Sequence, residues 1–127
     1  MAKFSGTCLC GKIKFHIDGE PDARMQLTCH CRDCQQLHGG PNAMAAVARD
    51  DLSIDGDVSW YRSSEKAQRG TCPTCSARIF KDNDGSDKMM VSMGAFDAST
   101  GLRPFKNIWT ESKGDWYDLP PEEPPRF

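Results

Sequence analysis

The sequence predicts a mainly β fold in a single domain, and three observations support this prediction. The stretch "GKIKFHID" alternates apolar and polar residues, which is typical of a strand with one buried face. The segments between the apolar runs, such as "DGEPD", "DGD" and "DNDGSD", are rich in turn-forming residues. The chain has 127 residues, enough for one hydrophobic core without a second domain.

Each predicted element follows from a local pattern. Alternate side chains of a strand point the same way. One face of the strand predicted in "GKIKFHID" therefore carries Ile13, Phe15 and Ile17. The opposite face carries Lys12, Lys14 and His16. Further apolar runs predict strands over residues 25–28, 43–48, 58–62, 77–80 and 89–93. One short helical turn is predicted from about Arg32, in "RDCQQLHGG", with Gly39 as a left-handed cap.

The end of the chain differs in composition from the rest. The stretch "DLPPEEPPRF" contains four prolines, which favour an extended path and cannot continue a helix. We therefore expect one domain over residues 1–118 and a proline-rich tail over residues 119–127.

Charge and hydropathy exclude several classes of protein. The formal net charge is −2 and the basic residues are scattered, so no surface for nucleic acid or acidic lipid is expected. No segment approaches the roughly 20 apolar residues of a membrane span, and the start "MAKFSG" lacks the apolar run of a signal peptide. We expect a cytoplasmic protein that binds neither nucleic acid nor membranes, and the sequence leaves the oligomeric state open.

Seven cysteines form three clusters with chelating spacing, in "TCLCG", "TCHCRDC" and "TCPTCS". The cytosol keeps thiols reduced, so these clusters indicate metal binding or thiol chemistry rather than disulfides. In an extended strand Cys8 and Cys10 would direct both sulfurs to one side. In "CPTC" a tight turn at Pro73 would bring Cys72 and Cys75 together. The two pairs can form a closed, tetrahedral four-sulfur zinc site of the structural kind.

The middle cluster, Cys29, Cys31 and Cys34, suggests a different kind of site. Three thiolates can hold a second zinc and leave its fourth position free for water or a substrate, which is how catalytic zinc differs from structural zinc. These three cysteines are the catalytic candidates. His30 lies between two of them, and we expect it to shape the loop or donate a hydrogen bond near the metal, with direct ligation as the alternative.

Other polar and aromatic residues have simpler interpretations. His38 precedes the predicted helix end, where capping is favoured over catalysis, and His16 is expected to be exposed. Arg32 and Arg78 lie beside metal-ligand loops and could meet a substrate carboxylate, although solvated surface arginine is the commoner case. Core or cavity-wall positions are expected for Trp60, Tyr61, Phe80, Phe96, Trp109 and Trp116.

The motifs follow a characteristic order along the chain. "GTCLCGKIKF" fits G-x-C-x-C-G-x-I-x-F, "CHCRDC" fits C-H-C-x-x-C, and "CPTC", "VSMGAFD" and "NIW" follow. Over nearly the whole chain this order resembles the glutathione-dependent formaldehyde-activating enzyme family. Two positions depart from the family pattern: Ser76 stands where Gly is usual, and Gln35 stands where a basic residue is frequent.

The resemblance implies a fold, two metals and an activity. The fold would be Mss4-like, built from small coiled antiparallel sheets stapled by two zinc ions per chain. Matched position by position, the structural zinc ligands fall on Cys8, Cys10, Cys72 and Cys75, and the labile or catalytic zinc ligands on Cys29, Cys31 and Cys34. The implied reaction is the condensation of formaldehyde with glutathione to S-hydroxymethylglutathione, a carbon–sulfur lyase reaction in reverse.

Three classes of function therefore remain open. The first is an enzyme that acts on a thiol adduct at the three-cysteine zinc. The second is a zinc-stabilised binding module without chemistry, since fold alone does not imply function. The third is a thiol redox or metal-handling protein, in which weakly held zinc leaves Cys29, Cys31 and Cys34 free to oxidise or exchange.

Overall fold

Ten short strands and one α-helix form the regular structure of residues 3–97 and 99–122, the part of the chain that this computed structural model describes. The prediction of a mainly β fold is confirmed. The strands are β1 Phe4–Thr7, β2 Lys14–Ile17, β3 Gln26–Cys29, β4 Asn42–Ala48, β5 Leu52–Asp55, β6 Ser59–Arg62, β7 Ala67–Thr71, β8 Arg78–Asn83, β9 Lys88–Ser92 and β10 Lys106–Ile108. The helix α1 spans Arg32–His38, between β3 and β4.

The strands form two sheets. The smaller sheet has the order β1-β2-β5 and is antiparallel throughout. The larger sheet has the order β10-β3-β4-β9-β8-β7-β6, and it is antiparallel except where β10 runs parallel to β3. Strands that neighbour each other in the chain mostly pair with each other, while β10 returns from the end of the domain to lie beside β3.

The main core lies between the two sheets and is built around β2. The predicted alternation is confirmed, because Ile13, Phe15 and Ile17 are fully buried while the intervening side chains are exposed. The Phe15 ring makes edge-on contacts with Phe80 and Phe96, at centroid distances of 5.8 and 5.4 Å. Burying one such aromatic side chain contributes about 1.5–3 kcal/mol, so this cluster is a principal link between the sheets.

The predicted helix is also present. Gly39 caps it in the left-handed conformation, with φ of 78°, and its N–H donates to the Gln35 carbonyl at 2.8 Å. The predicted strands correspond to β2, β3, β4, β6, β8 and β9, with shifted ends. Four strands were not predicted: β1, β5, β7 and β10. They are short and carry Gly, Ser, Asp, Asn, Lys or Arg, and cross-strand pairing rather than local propensity makes them strands.

Part of the predicted tail contacts the domain. The Asn107 side-chain amide donates to the Pro120 carbonyl at 2.9 Å, and the Asn107 N–H donates to the Glu122 carboxylate at 2.8 Å. The last five residues of the predicted tail, 123–127, lie outside the described residues. Within the described part of the chain, no helix is long and apolar enough to cross a membrane.

Candidate functional site

Four cysteines from two distant loops meet at one point. The sulfurs of Cys8, Cys10, Cys72 and Cys75 all lie within 4.8 Å of one another. The Cys8–Cys10 and Cys10–Cys72 sulfur distances are 3.6 and 3.7 Å. Around a tetrahedral zinc with Zn–S bonds of about 2.3 Å, neighbouring sulfurs are separated by about 3.8 Å. The donor set therefore fits a four-coordinate metal ion, and the cysteines are free thiols rather than disulfides.

The first loop differs from the predicted geometry. Cys8 and Cys10 were expected in an extended strand, but β1 ends at Thr7, so that prediction is wrong. The chain instead forms a turn in which the Gly11 N–H donates to the Cys8 carbonyl at 3.2 Å, with Gly11 at a φ of 84°. A tight turn brings the sulfurs together as an i, i+2 strand would, and it also directs the Ile13 N–H at the Cys8 sulfur, 3.3 Å away.

The second loop is the tight turn predicted at "CPTC". The N–H groups of Thr74 and Cys75 both lie 3.4 Å from the Cys72 sulfur. Ser76 closes the turn by donating its N–H to the Cys72 carbonyl at 2.8 Å, and its φ is 67°. This left-handed backbone favours glycine, and a side chain in it costs about 1–2 kcal/mol.

Backbone donors also favour the thiolate form at this cluster. Hydrogen bonds from the N–H groups of Ala77 and Cys10 lower the pKa of Cys75 to about 6. Metal ligation requires deprotonated sulfur, so these donors prepare the loop for a cation.

The second cluster is built at the junction of β3 and α1. Cys29 ends β3, Cys31 is the N-cap of α1 and accepts the Cys34 N–H at 3.3 Å, and Cys34 lies inside the helix. Their three sulfurs lie within 4.8 Å of one another. Cys29 and Cys34 are fully buried, while Cys31 is partly exposed. Among the described residues, no fourth His, Cys, Asp or Glu joins this group.

Within the second cluster, negative charge is most favourable on the Cys31 sulfur. Hydrogen bonds from the thiols of Cys29 and Cys34 lower the pKa of Cys31. The hydrogen bond that Cys29 donates to Cys31 raises the pKa of Cys29 correspondingly. The partly exposed sulfur is thus the one that most readily becomes a thiolate.

His30 is buried beside this cluster, and both of its ring nitrogens have other partners. Its Nδ1 lies 2.7 Å from the Tyr117 hydroxyl and its Nε2 lies 2.9 Å from the Asn107 side-chain oxygen. The His30 N–H donates to the Ile108 carbonyl at 3.0 Å. His30 therefore fixes the loop between Cys29 and Cys31 and leaves the cluster without a histidine ligand.

Gln35 anchors the same loop from the helix. Its side-chain amide donates to the His30 carbonyl at 2.8 Å and to the Ser112 carbonyl at 2.7 Å. Gln35 is therefore part of a hydrogen-bonded support for the cluster.

Arg69 was not singled out by the sequence, although it contacts the cluster. Its side chain is only 3% exposed. Its Nη1 lies 3.5 Å from the Cys34 sulfur and its Nε lies 3.3 Å from the Ser63 hydroxyl. The sequence clue to its burial was its spacing from Ala67. The two residues are two positions apart, so in a strand both side chains lie on the same face of β7.

A cavity of about 330 Å³ opens next to Cys31. Its wall carries three cationic side chains and one acidic side chain, together with an aromatic ring: Arg32, Arg69, Lys81, Asp33 and Trp109. Trp109 is 57% exposed and has a left-handed backbone, with φ of 56°. Non-glycine residues held in this conformation concentrate at functional sites, and this one stands at the cavity wall.

The remaining candidates lie elsewhere. His38 and Arg78 line a second cavity of about 410 Å³ beside Cys8. Burial, with the nearby charges of Arg69 and Arg78, lowers the pKa of His38 to about 4. Phe80 is buried in the core and Phe96 packs against it, as expected. The other four aromatic residues of the prediction are each more than one-third exposed to solvent: Trp60, Tyr61, Trp109 and Trp116.

Comparisons with known proteins agree with this architecture. The model of the family described as "Glutathione-dependent formaldehyde-activating enzyme" matches residues 3–112, which include all seven cysteines. No curated protein matches the sequence. A crystal structure of a Rhodobacter sphaeroides protein has a TM-score of 0.62 and 19% sequence identity, over 75% of this chain and 89% of that chain. That likeness shows a shared fold, and the two-sheet architecture is consistent with the expected Mss4-like class.

Proposed function

Because the chain belongs to the glutathione-dependent formaldehyde-activating enzyme family, we propose that it forms or breaks down S-hydroxymethylglutathione at Cys29, Cys31 and Cys34. In the forward direction the glutathione sulfur bonds to the formaldehyde carbon. The carbonyl π electrons move to oxygen, and the proton lost from the thiol is balanced by one gained at that oxygen. The reverse direction is a carbon–sulfur lyase reaction.

The proposal assigns one zinc ion to each cysteine cluster. The sulfur spacing and the N–H donors at Cys8, Cys10, Cys72 and Cys75 support a closed site that holds two distant loops together. The group formed by Cys29, Cys31 and Cys34 offers three sulfurs, which supports an open site. Zinc at such a site favours ionisation of a bound thiol and polarises a carbonyl oxygen.

One observation carries the proposal: the cavity reaches the three-sulfur cluster at its most accessible member. Cys31 is partly exposed and lines the cavity, while His30 is committed to Tyr117 and Asn107. A fourth ligand therefore has a route from solvent, and no described side chain competes for the position. A site of this form suits an exchangeable ligand such as a substrate sulfur.

The cavity wall matches the charge of glutathione. Glutathione carries two carboxylates, and the protein's net charge of −2 would repel it in the absence of local cations. Arg32 and Lys81 supply positive charge at the cavity wall, close to Cys31. Trp109 offers an apolar face beside them. We assign to these three residues the binding and orientation of the part of the substrate that does not react.

The test is a rate measurement. Proton NMR follows the formation of S-hydroxymethylglutathione from formaldehyde and glutathione, with and without the zinc-loaded protein. The wild-type protein should exceed the spontaneous rate, and Cys31→Ser should abolish the gain while circular dichroism shows an unchanged fold. Glutathione binding without any rate gain would contradict the enzymatic proposal and favour a binding or metal-handling protein.

A further inference from the structure

A buried positive charge lies beside the second cysteine cluster. Arg69 is 3% exposed, so its guanidinium is almost fully removed from water. Among the described residues, its guanidinium hydrogen-bonds to the hydroxyl of Ser63 and the sulfur of Cys34. Within residues 3–97 and 99–122, no carboxylate forms a salt bridge with it. A buried charge of this kind is costly unless an opposite charge compensates it.

A second cation lies directly across the sheet from Arg69. In the pairing of β7 with β8, Arg69 is the register partner of Lys81. Both side chains line the cavity at Cys31. Like charges opposite each other in a sheet are destabilising. A negative charge nearby would offset this repulsion. Asp33 also lines the cavity, but among the described residues it forms no salt bridge with either cation, whereas the Arg69 guanidinium contacts the Cys34 sulfur directly.

The charge of a loaded cluster meets this requirement. Three thiolates and one divalent ion sum to a single negative charge, which one guanidinium balances. The contact runs through Cys34, the fully buried sulfur, so it leaves the partly exposed Cys31 side of the cluster open. A hydrogen bond to a metal-bound sulfur also holds that ligand in place, as outer partners of metal ligands commonly do.

We propose that Arg69 is a positioning residue of the second metal centre, which holds Cys34 and balances the negative charge of the metal-bound thiolates. This inference rests on the proposed function only in requiring that the cluster binds a divalent metal. Its consequence is specific: Arg69 raises the metal affinity of the three-cysteine site and leaves that of the four-cysteine site unchanged, because among the described residues its guanidinium hydrogen-bonds to Ser63 and Cys34 and to no sulfur of the four-cysteine site.

The experiment is a cobalt titration of the full chain after metal removal, in which the first ion fills the four-cysteine site and restores the fold and the second fills the three-cysteine site. Binding is read by the sulfur-to-metal absorption, with a competing chelator. The wild type should bind two cobalt ions. Arg69→Gln keeps side-chain donors but removes the charge, and it should weaken the second binding step by roughly 10- to 100-fold, the range found for outer-shell partners. Arg69→Lys keeps the charge and should retain most of the affinity. The first binding step should be unchanged in both variants.

Controls separate this role from a purely structural one. Arg62→Gln removes an exposed arginine from the neighbouring strand β6 and should leave both steps unchanged. Equal second-step affinities for Arg69→Gln and Arg69→Lys, or equal losses at both steps, would overturn the role proposed for Arg69. If Arg69→Gln does not fold, the second-step affinity of Arg69→Lys decides: a loss smaller than about tenfold supports charge balance, and a larger loss contradicts it. Binding of only one cobalt by the wild type would instead overturn the proposed function itself.

Discussion

His30 and Tyr117 form a stacked, hydrogen-bonded pair across 87 residues of sequence. The Tyr117 hydroxyl lies 2.7 Å from the His30 Nδ1, and the two rings are 5.6 Å apart at an interplanar angle of 19°. The family match ends at residue 112, so Tyr117 lies beyond it. The segment after the matched region therefore supports the loop that carries Cys29 and Cys31.

Removing the Tyr117 hydroxyl should weaken this support. Tyr117→Phe leaves a buried ring nitrogen of His30 without its partner, which typically costs about 1–3 kcal/mol. We expect the free energy of unfolding in urea to fall by that amount. Tyr61→Phe removes a hydroxyl from a ring that is 63% exposed and serves as the matched control. Equal stabilities of the two variants would show that the His30 contact contributes nothing.

The two cysteine clusters should differ in their effect on folding. Cys72→Ser removes a ligand from the site that joins the first loop to the β7–β8 hairpin, and we expect an unfolded or insoluble protein. Structural zinc contributes about 10–16 kcal/mol in small peptides, which is comparable to or larger than the 5–15 kcal/mol stability of a typical domain. Cys31→Ser should fold and lose only the weaker metal. Zinc content and circular dichroism measure both outcomes, and two equally well-folded variants would contradict the division of roles.

Replacing Ser76 by glycine should stabilise the protein. Ser76 has a φ of 67°, and the penalty for a side chain in this conformation exceeds the entropy that glycine loses on folding. Ser76→Gly should raise the free energy of unfolding by about 1 kcal/mol. The control is Ser53→Gly at an exposed position of β5, where glycine should lower stability by about 0.5–1 kcal/mol. A loss of stability in Ser76→Gly would show that the hydroxyl matters more than the backbone.

Asp82 should contribute a stability that depends on pH. Burial alone would raise the pKa of Asp82. Hydrogen bonds from Gln68 and Arg49 lower it by more than burial raises it, so the net pKa lies below that of an ordinary aspartate. The stabilisation is therefore present above the unfolded pKa of about 4 and is lost as pH falls through the folded value. Asp82→Asn should cost about 1 kcal/mol or less at pH 7, and the difference from wild type should shrink below pH 4. A difference that is constant with pH would exclude this origin.

Local patterns predicted the core and the two cysteine clusters but not their surroundings. Alternation located the buried face of β2, and cysteine spacing defined two clusters whose sulfurs do converge. Arg69 was missed because its meaning depends on the β7–β8 register, which places it opposite Lys81. Tyr117 was missed because no local signal links it to His30. Contacts that depend on sheet register or on the path of a distant segment cannot be obtained from spacing within one motif.

The proposed function requires an exchangeable position for a substrate thiol at the three-cysteine centre. The most direct measurement is the sulfur-to-metal absorption of the cobalt-loaded protein as glutathione is added. We predict a saturable change in the wild type, no change in Cys31→Ser, and no change with S-methylglutathione, whose sulfur cannot ionise. An unchanged spectrum of the wild type, or the same change in Cys31→Ser, would contradict the claim.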